Sequence, residues 1–216
     1  MTNTPNWKSQ LILLHKNELQ YFKTRKFEKR KKDYLTGCCV AKWVTAAYLN
    51  ETDLATIEIA NGVFNQPVVR YNGWNIPGVS LSHSHEMSVA LSFPSGHPMA
   101  LDIEKVDPNR VDVYQRQLTE YEKGLVQKRG KDESIDYCQI RTMKEALSKV
   151  LGCGLTAPFS ILEIKAPSFR ENGNSFCYFK NFGQYQCHSW IINEYALSIV
   201  LPVKTEINSD VQAFFG

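Results

Sequence analysis

The sequence has no CxxC pair, although it holds six cysteines (Cys38, Cys39, Cys138, Cys153, Cys177 and Cys187). That spacing argues against a structural zinc site, and reduced thiols in a cytoplasmic protein are expected. No long hydrophobic run is present. The apolar stretch Leu11–Leu14 is too short for a signal core or a membrane span, so neither a secretory leader nor a membrane association is expected. Low-complexity tracts and solenoid-period repeats are absent, as are a Gly-x-Ser-x-Gly elbow, a Walker loop and a Rossmann glycine pattern. The basic residues come without an aromatic-rich or zinc-finger signature, which leaves no case for nucleic acid.

What is present is ordinary for a globular protein. The 216 residues are 43% hydrophobic and 22% charged, with a net charge of +3. The charge is unevenly spread: residues 23–32 (KTRKFEKRKK) are dense in Lys and Arg with a single Glu. Such a cluster suits a phosphate or an acidic protein surface, and equally a solvated helix face.

Periodicity gives a coarse order. The opening third reads helical around Leu11, Leu14, Leu19 and Phe22. A second helix is predicted over 34–49, with Leu35, Val40, Trp43, Val44 and Ala47 as its apolar stripe. Short strands are predicted at 57–59 and 68–71. Met87, Val89, Leu91 and Phe93 alternate with small residues; after Pro94-Ser-Gly-His-Pro98, Met99, Leu101 and Ile103 alternate with Ala100, Asp102 and Glu104. These two runs are expected to pair as a hairpin. Helix and loop follow over 113–136, then a helix near 143–151, then strands at 160–165, 176–180, 186–192 and 195–201. Helix, strands, helix, strands points to an α+β fold of two lobes, divided near Glu104–Asp107.

Two places could carry chemistry. Asp102 and Glu104, two apart on a strand, project from one face roughly 7 Å apart, and such oxygens suit magnesium; alternating acids on a wet face would look the same. In Arg141-Thr-Met-Lys-Glu-Ala-Leu-Ser-Lys149, the residues Met143, Ala146, Leu147, Val150 and Leu151 form the buried stripe. Glu145 and Lys149 then share another face. Locally, Glu145 reads as the partner of Thr142 in a capping box, or of Lys149 in a surface ion pair. Ser82-His83-Ser84 at a strand entrance offers hydroxyls and an imidazole to a phosphate, or a turn spacer.

Order and spacing together say more. The chain resembles the Sfp-type 4′-phosphopantetheinyl transferases over most of its length, through Arg30-Lys-Lys-Asp-Tyr-Leu-Thr-Gly37, Ser82-His83-Ser84, Ala100-Leu-Asp-Ile-Glu-Lys105, Arg141–Lys149 and Gly152-Cys-Gly-Leu155. The resemblance implies a pseudo-dimer of two similar α+β lobes, 1–104 and 105–216, with the active site in the cleft between them. It implies transfer of the phosphopantetheine arm of coenzyme A to a serine of an acidic acyl or peptidyl carrier protein, with release of 3′,5′-ADP, by a monomer. Asp102, Glu104 and Glu145 would hold Mg²⁺, and Glu145 and Lys149 would be catalytic. Arg30, Lys31, Ser82, His83, Asp102 and Lys149 would bind coenzyme A, with Lys42 as a weaker candidate. Departures from the family pattern are Arg141 for a tryptophan, Ala100 for a glycine, Cys38 for an arginine and Asn65-Gln66-Pro67 for Gly-Lys-Pro, with Arg70 as a compensating cation. They motivate an alternative: a transferase-like protein that binds carriers or coenzyme A derivatives without transfer, or acts otherwise on carrier-bound intermediates.

Overall fold

The computed structural model describes residues 7–73, 76–170, 172–208 and 210–215. The chain divides into two compact units. The first comprises residues 1–82 and 88–96, the second residues 83–87 and 97–216. Both contain helices and antiparallel strands, so the fold is α+β.

In the first unit, α1 (Lys16–Thr24) starts at a capping box. The His15 side chain accepts from the Asn17 N–H, and Glu18 Oε2 accepts from the His15 N–H at 2.7 Å. The long helix α2 (Glu28–Leu49) ends at Asn50, which takes the left-handed conformation (φ 54°) that asparagine tolerates. The strands β1 (Glu58–Asn61) and β2 (Pro67–Arg70) pair with each other, as do β3 (Gly78–Ser84) and β4 (Met87–Phe93).

The predicted stripe of α2 is only partly right. Leu35 is buried, but Trp43 is 64% exposed and Ala47 is exposed as well. The buried face runs instead through Gly37, Cys38, Ala41, Lys42 and Thr45. Small residues let neighbours approach: a Cβ on Gly37 would lie 3.2 Å from the Leu81 side chain. Lys42 turns inward because its ammonium meets Glu18 at 2.8 Å, and it donates also to the Leu54 and Ile57 carbonyls.

In the second unit, β5 (Ala100–Lys105), β6 (Ile164–Phe169), β7 (Ser175–Phe179), β8 (Tyr185–Ile192) and β9 (Tyr195–Pro202) form one antiparallel sheet in the order β5-β9-β8-β7-β6. The predicted hairpin of β4 with β5 does not form. β4 pairs with β3, and β5 runs antiparallel to β9 from Ala100↔Val200 to Lys105↔Tyr195. This also moves the dividing point: residue 104 lies inside β5, whose ladder to β9 binds the whole strand into the second unit. At the opposite edge, β6 carries Pro167 and a register shift between Lys165 and Ser168, devices that discourage further strand pairing.

The helices of this unit are α3 (Val111–Gln115), α4 (Glu120–Arg129) and α5 (Glu133–Val150). α5 begins ten residues before the predicted start and is capped by Asp132, whose side chain accepts from the Ser134 N–H. Of its predicted stripe, Met143, Ala146 and Leu147 are fully buried against Cys177, Phe179, Ala196 and Val200, while Val150 and Leu151 are half-buried beside them. Gly152, at φ 65°, stops the helix in a conformation that costs a residue with a Cβ more. The turn between β8 and β9 falls at Asn193-Glu194, as predicted.

The two units repeat one plan, two helices followed by four strands: α1, α2 and β1–β4, then α4, α5 and β6–β9. A shared device marks the correspondence. In α4, Glu122 is again the capping-box glutamate, bonded back to the Thr119 N–H at 2.8 Å. It pairs with a buried lysine of the long helix, Lys144, at 2.7 Å, and accepts from a strand N–H, Ile164, at 3.0 Å. Glu18 makes the same set with His15, Lys42 and Ile59. Lys42 is therefore fully engaged within the fold. None of the described helices is long and apolar enough to cross a membrane.

Candidate active site

The direction in which the acids of β5 point follows from the strand register. Asp102 lies opposite Ser198 of β9, so their side chains share a face of the sheet. Ser198 Oγ lies 2.7 Å from Thr142 Oγ1 of α5, so that face is the one α5 covers. Glu104, two residues on, projects the same way. Thr142 is consequently not a capping residue. It sits in mid-helix, donates to the Gln139 carbonyl, and joins a buried hydroxyl chain through Ser198 to Ser189 (2.9 Å). That chain fixes the helix on the sheet.

With α5 held there, Lys149 Nζ meets Asp102 Oδ1 at 2.8 Å and the Leu101 carbonyl at 3.0 Å. The expected surface pair with Glu145 gives way to this bond across to the strand. Glu145 itself is bound by Arg141, one turn earlier, whose Nη2 lies 3.1 Å from Oε1. The other nitrogen of the fork, Nη1, donates to Glu104 Oε2, and Nε donates to Gln117 Oε1 at 2.8 Å. Glu104 Oε1 accepts from Arg110 Nη1 at 2.7 Å. The sequence pattern pointed to neither Arg110 nor Gln117: each stands in a short connecting segment whose position becomes significant only in three dimensions.

Burial raises the pKa of Glu145 above its ordinary value. The Arg141 charge works against this, and the Asp102 carboxylate adds to it. Burial also pushes the thiols of Cys38 and Cys138 up to about 12 and that of Cys39 to about 11, which suits packing rather than reaction.

The chemistry of three carboxylates suits Mg²⁺. Their arrangement does not: among the described residues, no three His, Cys, Asp or Glu side chains gather so as to hold a metal ion. Protein cations stand between them instead.

The remaining predicted residues stand on other elements. Ser82 is buried and His83 exposed at the end of β3. It is Ser84 that touches β5, its Oγ accepting from the Lys105 N–H at 3.0 Å. Arg30 is exposed on the first turns of α2, its guanidinium 5.8 Å from the Phe27 ring, and Lys31 lies 3.6 Å from Glu28. Arg70 of β2 lies 3.4 Å from Glu58. Of the closing motif Gly152–Leu155, the Leu155 side chain lies outside the described residues.

No curated protein matches the chain. A family model does, that of the 4′-phosphopantetheinyl transferase superfamily, over residues 98–200. The match opens just before β5 and closes within β9. It takes in Asp102, Glu104, Arg141, Glu145 and Lys149, and leaves out Arg30, Lys31, Ser82 and His83. Over β5, α5 and the sheet that joins them, the chain is therefore similar to the 4′-phosphopantetheinyl transferase superfamily.

Proposed function

We propose that this protein transfers the 4′-phosphopantetheine arm of coenzyme A to a serine hydroxyl of an apo acyl or peptidyl carrier protein, releasing 3′,5′-ADP. The observation that carries the reading is the Lys149–Asp102 bond beside a half-buried Glu145, inside the segment that matches the superfamily.

The serine oxygen forms a bond to the β-phosphorus of coenzyme A, the bridging P–O bond breaks, and the nucleotide leaves with the bonding electron pair. Lys149 supplies positive charge to the phosphoryl oxygens at the point where charge builds up. Glu145 accepts the serine proton, a role that suits a carboxylate with a raised affinity for protons. Its base strength is kept in reserve by Arg141 until substrate rearranges the contact. The exposed Arg30 and His83, with Lys31, are proposed for the 3′-phosphate and Ser82 for the coenzyme. Asp102, Glu104 and Glu145 would hold Mg²⁺ only once Arg141 leaves the two glutamates, and the ion would then supply positive charge to the pyrophosphate oxygens.

The test is a carrier-loading assay with purified protein, coenzyme A and apo carrier, read by intact-mass spectrometry. The expected outcome is a mass gain of one phosphopantetheine per carrier, lost in D102A and E145Q. If wild type loads none of several carriers and does not bind coenzyme A, the reading fails. Arg141 on two of the acids favours a second reading, binding of a carrier or a coenzyme A derivative without transfer. Carrier bound but unmodified would select it.

A further inference from the structure

The three acids beside α5 are matched by three cations of the chain itself. Asp102 has Lys149; Glu104 has Arg110 on one oxygen and Arg141 on the other; Glu145 has Arg141. Among the described ion pairs, Arg141 bridges two of these acids. A guanidinium is a planar fork that presents paired donors in fixed directions, which a lysine ammonium does not. All three of its nitrogens are engaged, since Nε is held by Gln117 at 2.8 Å. Gln117 is itself anchored, its backbone carbonyl accepting from the buried Lys144 at 3.1 Å. The side chain of Arg141 is 16% exposed, so water screens these contacts little.

A divalent metal would draw two carboxylates together by placing positive charge between them. Arg141 already does this for Glu104 and Glu145. We propose that Arg141 is a resident cation of this site, which bridges the two glutamates in the manner of a metal and lowers the affinity of the acids for a divalent ion. A metal reaches Glu104 and Glu145 only by displacing a guanidinium that Gln117 holds in place. The two cations therefore exclude one another, and the metal requirement of the site is set by the residue at 141. Charge-assisted hydrogen bonds of this kind are each worth enough to shift a competing equilibrium about tenfold.

The inference draws its interest from the proposed transfer reaction but does not need it, because its test contains neither coenzyme A nor carrier. Mn²⁺ is titrated into the full-length protein, and bound ion is read by electron paramagnetic resonance and by calorimetry. Wild type is expected to bind weakly, and Arg141→Gln at least about tenfold more tightly, because two paired carboxylates are set free. Mn²⁺ should also raise the melting temperature of R141Q more than that of wild type. Equal affinity of the two proteins overturns the proposal, as does tight binding by wild type. Should R141Q fail to fold, Gln117→Leu loosens the guanidinium while leaving every charge in place, and binding several-fold tighter than wild type is expected; no change there overturns the proposal too. A failed carrier-loading assay would leave this result standing, and the reverse.

Discussion

Lys42 and Lys144 are two fully buried lysines in the two units, each bound to the capping-box glutamate of the preceding helix. They differ in what else they hold. Lys42 donates to two carbonyls, of Leu54 and Ile57, and so ties α2 to the chain entering β1. Lys144 donates to one, of Gln117, and lies 5.7 Å from the Phe159 ring. Burial lowers its pKa in spite of the Glu122 charge beside it. Aligning the long helices on these lysines sharpens the contrast. Where α5 has Arg141, Glu145 and Lys149, α2 has Cys39, Trp43 and Ala47. The buried lysine–glutamate pair recurs in both units, whereas the charged face stands in one. The lesson is that the buried pair belongs to the architecture, while the site is an addition to one copy of it.

The largest effects should come from breaking the pair in either copy. Removing one member leaves the other charge buried without compensation, which costs about 3–5 kcal/mol. E18Q, K42M, E122Q and K144M should all fall in that range in urea denaturation. K42M should be the worst of the four, since it strands two carbonyls and K144M one. Replacing both members of one pair by apolar residues should recover most of the loss. Single variants that lose less than about 1 kcal/mol would show that these pairs do not organise the units.

The next effect separates the copies. Lys149→Ala removes the cation beside Asp102 and should slow carrier loading about 100-fold or more, with little change in melting temperature. Substituting the corresponding exposed Ala47 by serine should change neither, within about 0.5 kcal/mol. Loading by K149A at the wild-type rate would remove Lys149 from the chemistry.

How much of this the sequence shows depends on what is buried. Where burial is apolar, pattern suffices: the strand alternation of 87–93 and the stripe Met143, Ala146 and Leu147 are visible in the residues. Where polar residues are buried, it fails. The first turns of α5 hide Ser134, Asp136 and Gln139, and α2 hides Lys42 and Thr45, so neither length nor stripe follows a hydrophobic period. The pairing of β5 with β9 joins residues nearly a hundred positions apart, whereas the turn-like segment between β4 and β5 suggests the local partner. In the site, Asp102 and Glu104 follow from strand spacing and Glu145 from resemblance alone. Arg141 stands out in the sequence only as a departure; that it grips two of the acids requires the fold.

The smallest effect is a pH slope in which stability falls as pH rises, carried by the raised acids of the second unit. At the position where α2 has Tyr34, α5 has Asp136, buried and bonded to Arg129 at 2.7 Å. Burial raises its pKa above the ordinary 3.8, although Arg129 opposes the shift. From 3.8 up to the raised value, the native protein keeps a proton that the unfolded chain has released. The unfolded state then binds fewer protons, so stability falls as pH rises through that window. Glu145, also raised, adds a contribution of the same sign starting from 4.5. Asp136→Asn should therefore make the slope shallower, and D136N with E145Q should flatten it further. Burial raises the pKa of Tyr34 as well, so its phenol is neutral throughout the acid range, and Y34F should leave the profile unchanged. Melting curves recorded across the acid range on all four proteins decide it. A slope that D136N leaves intact, or that Y34F removes, would mean that the charge difference between the two long helices has been assigned to the wrong residues.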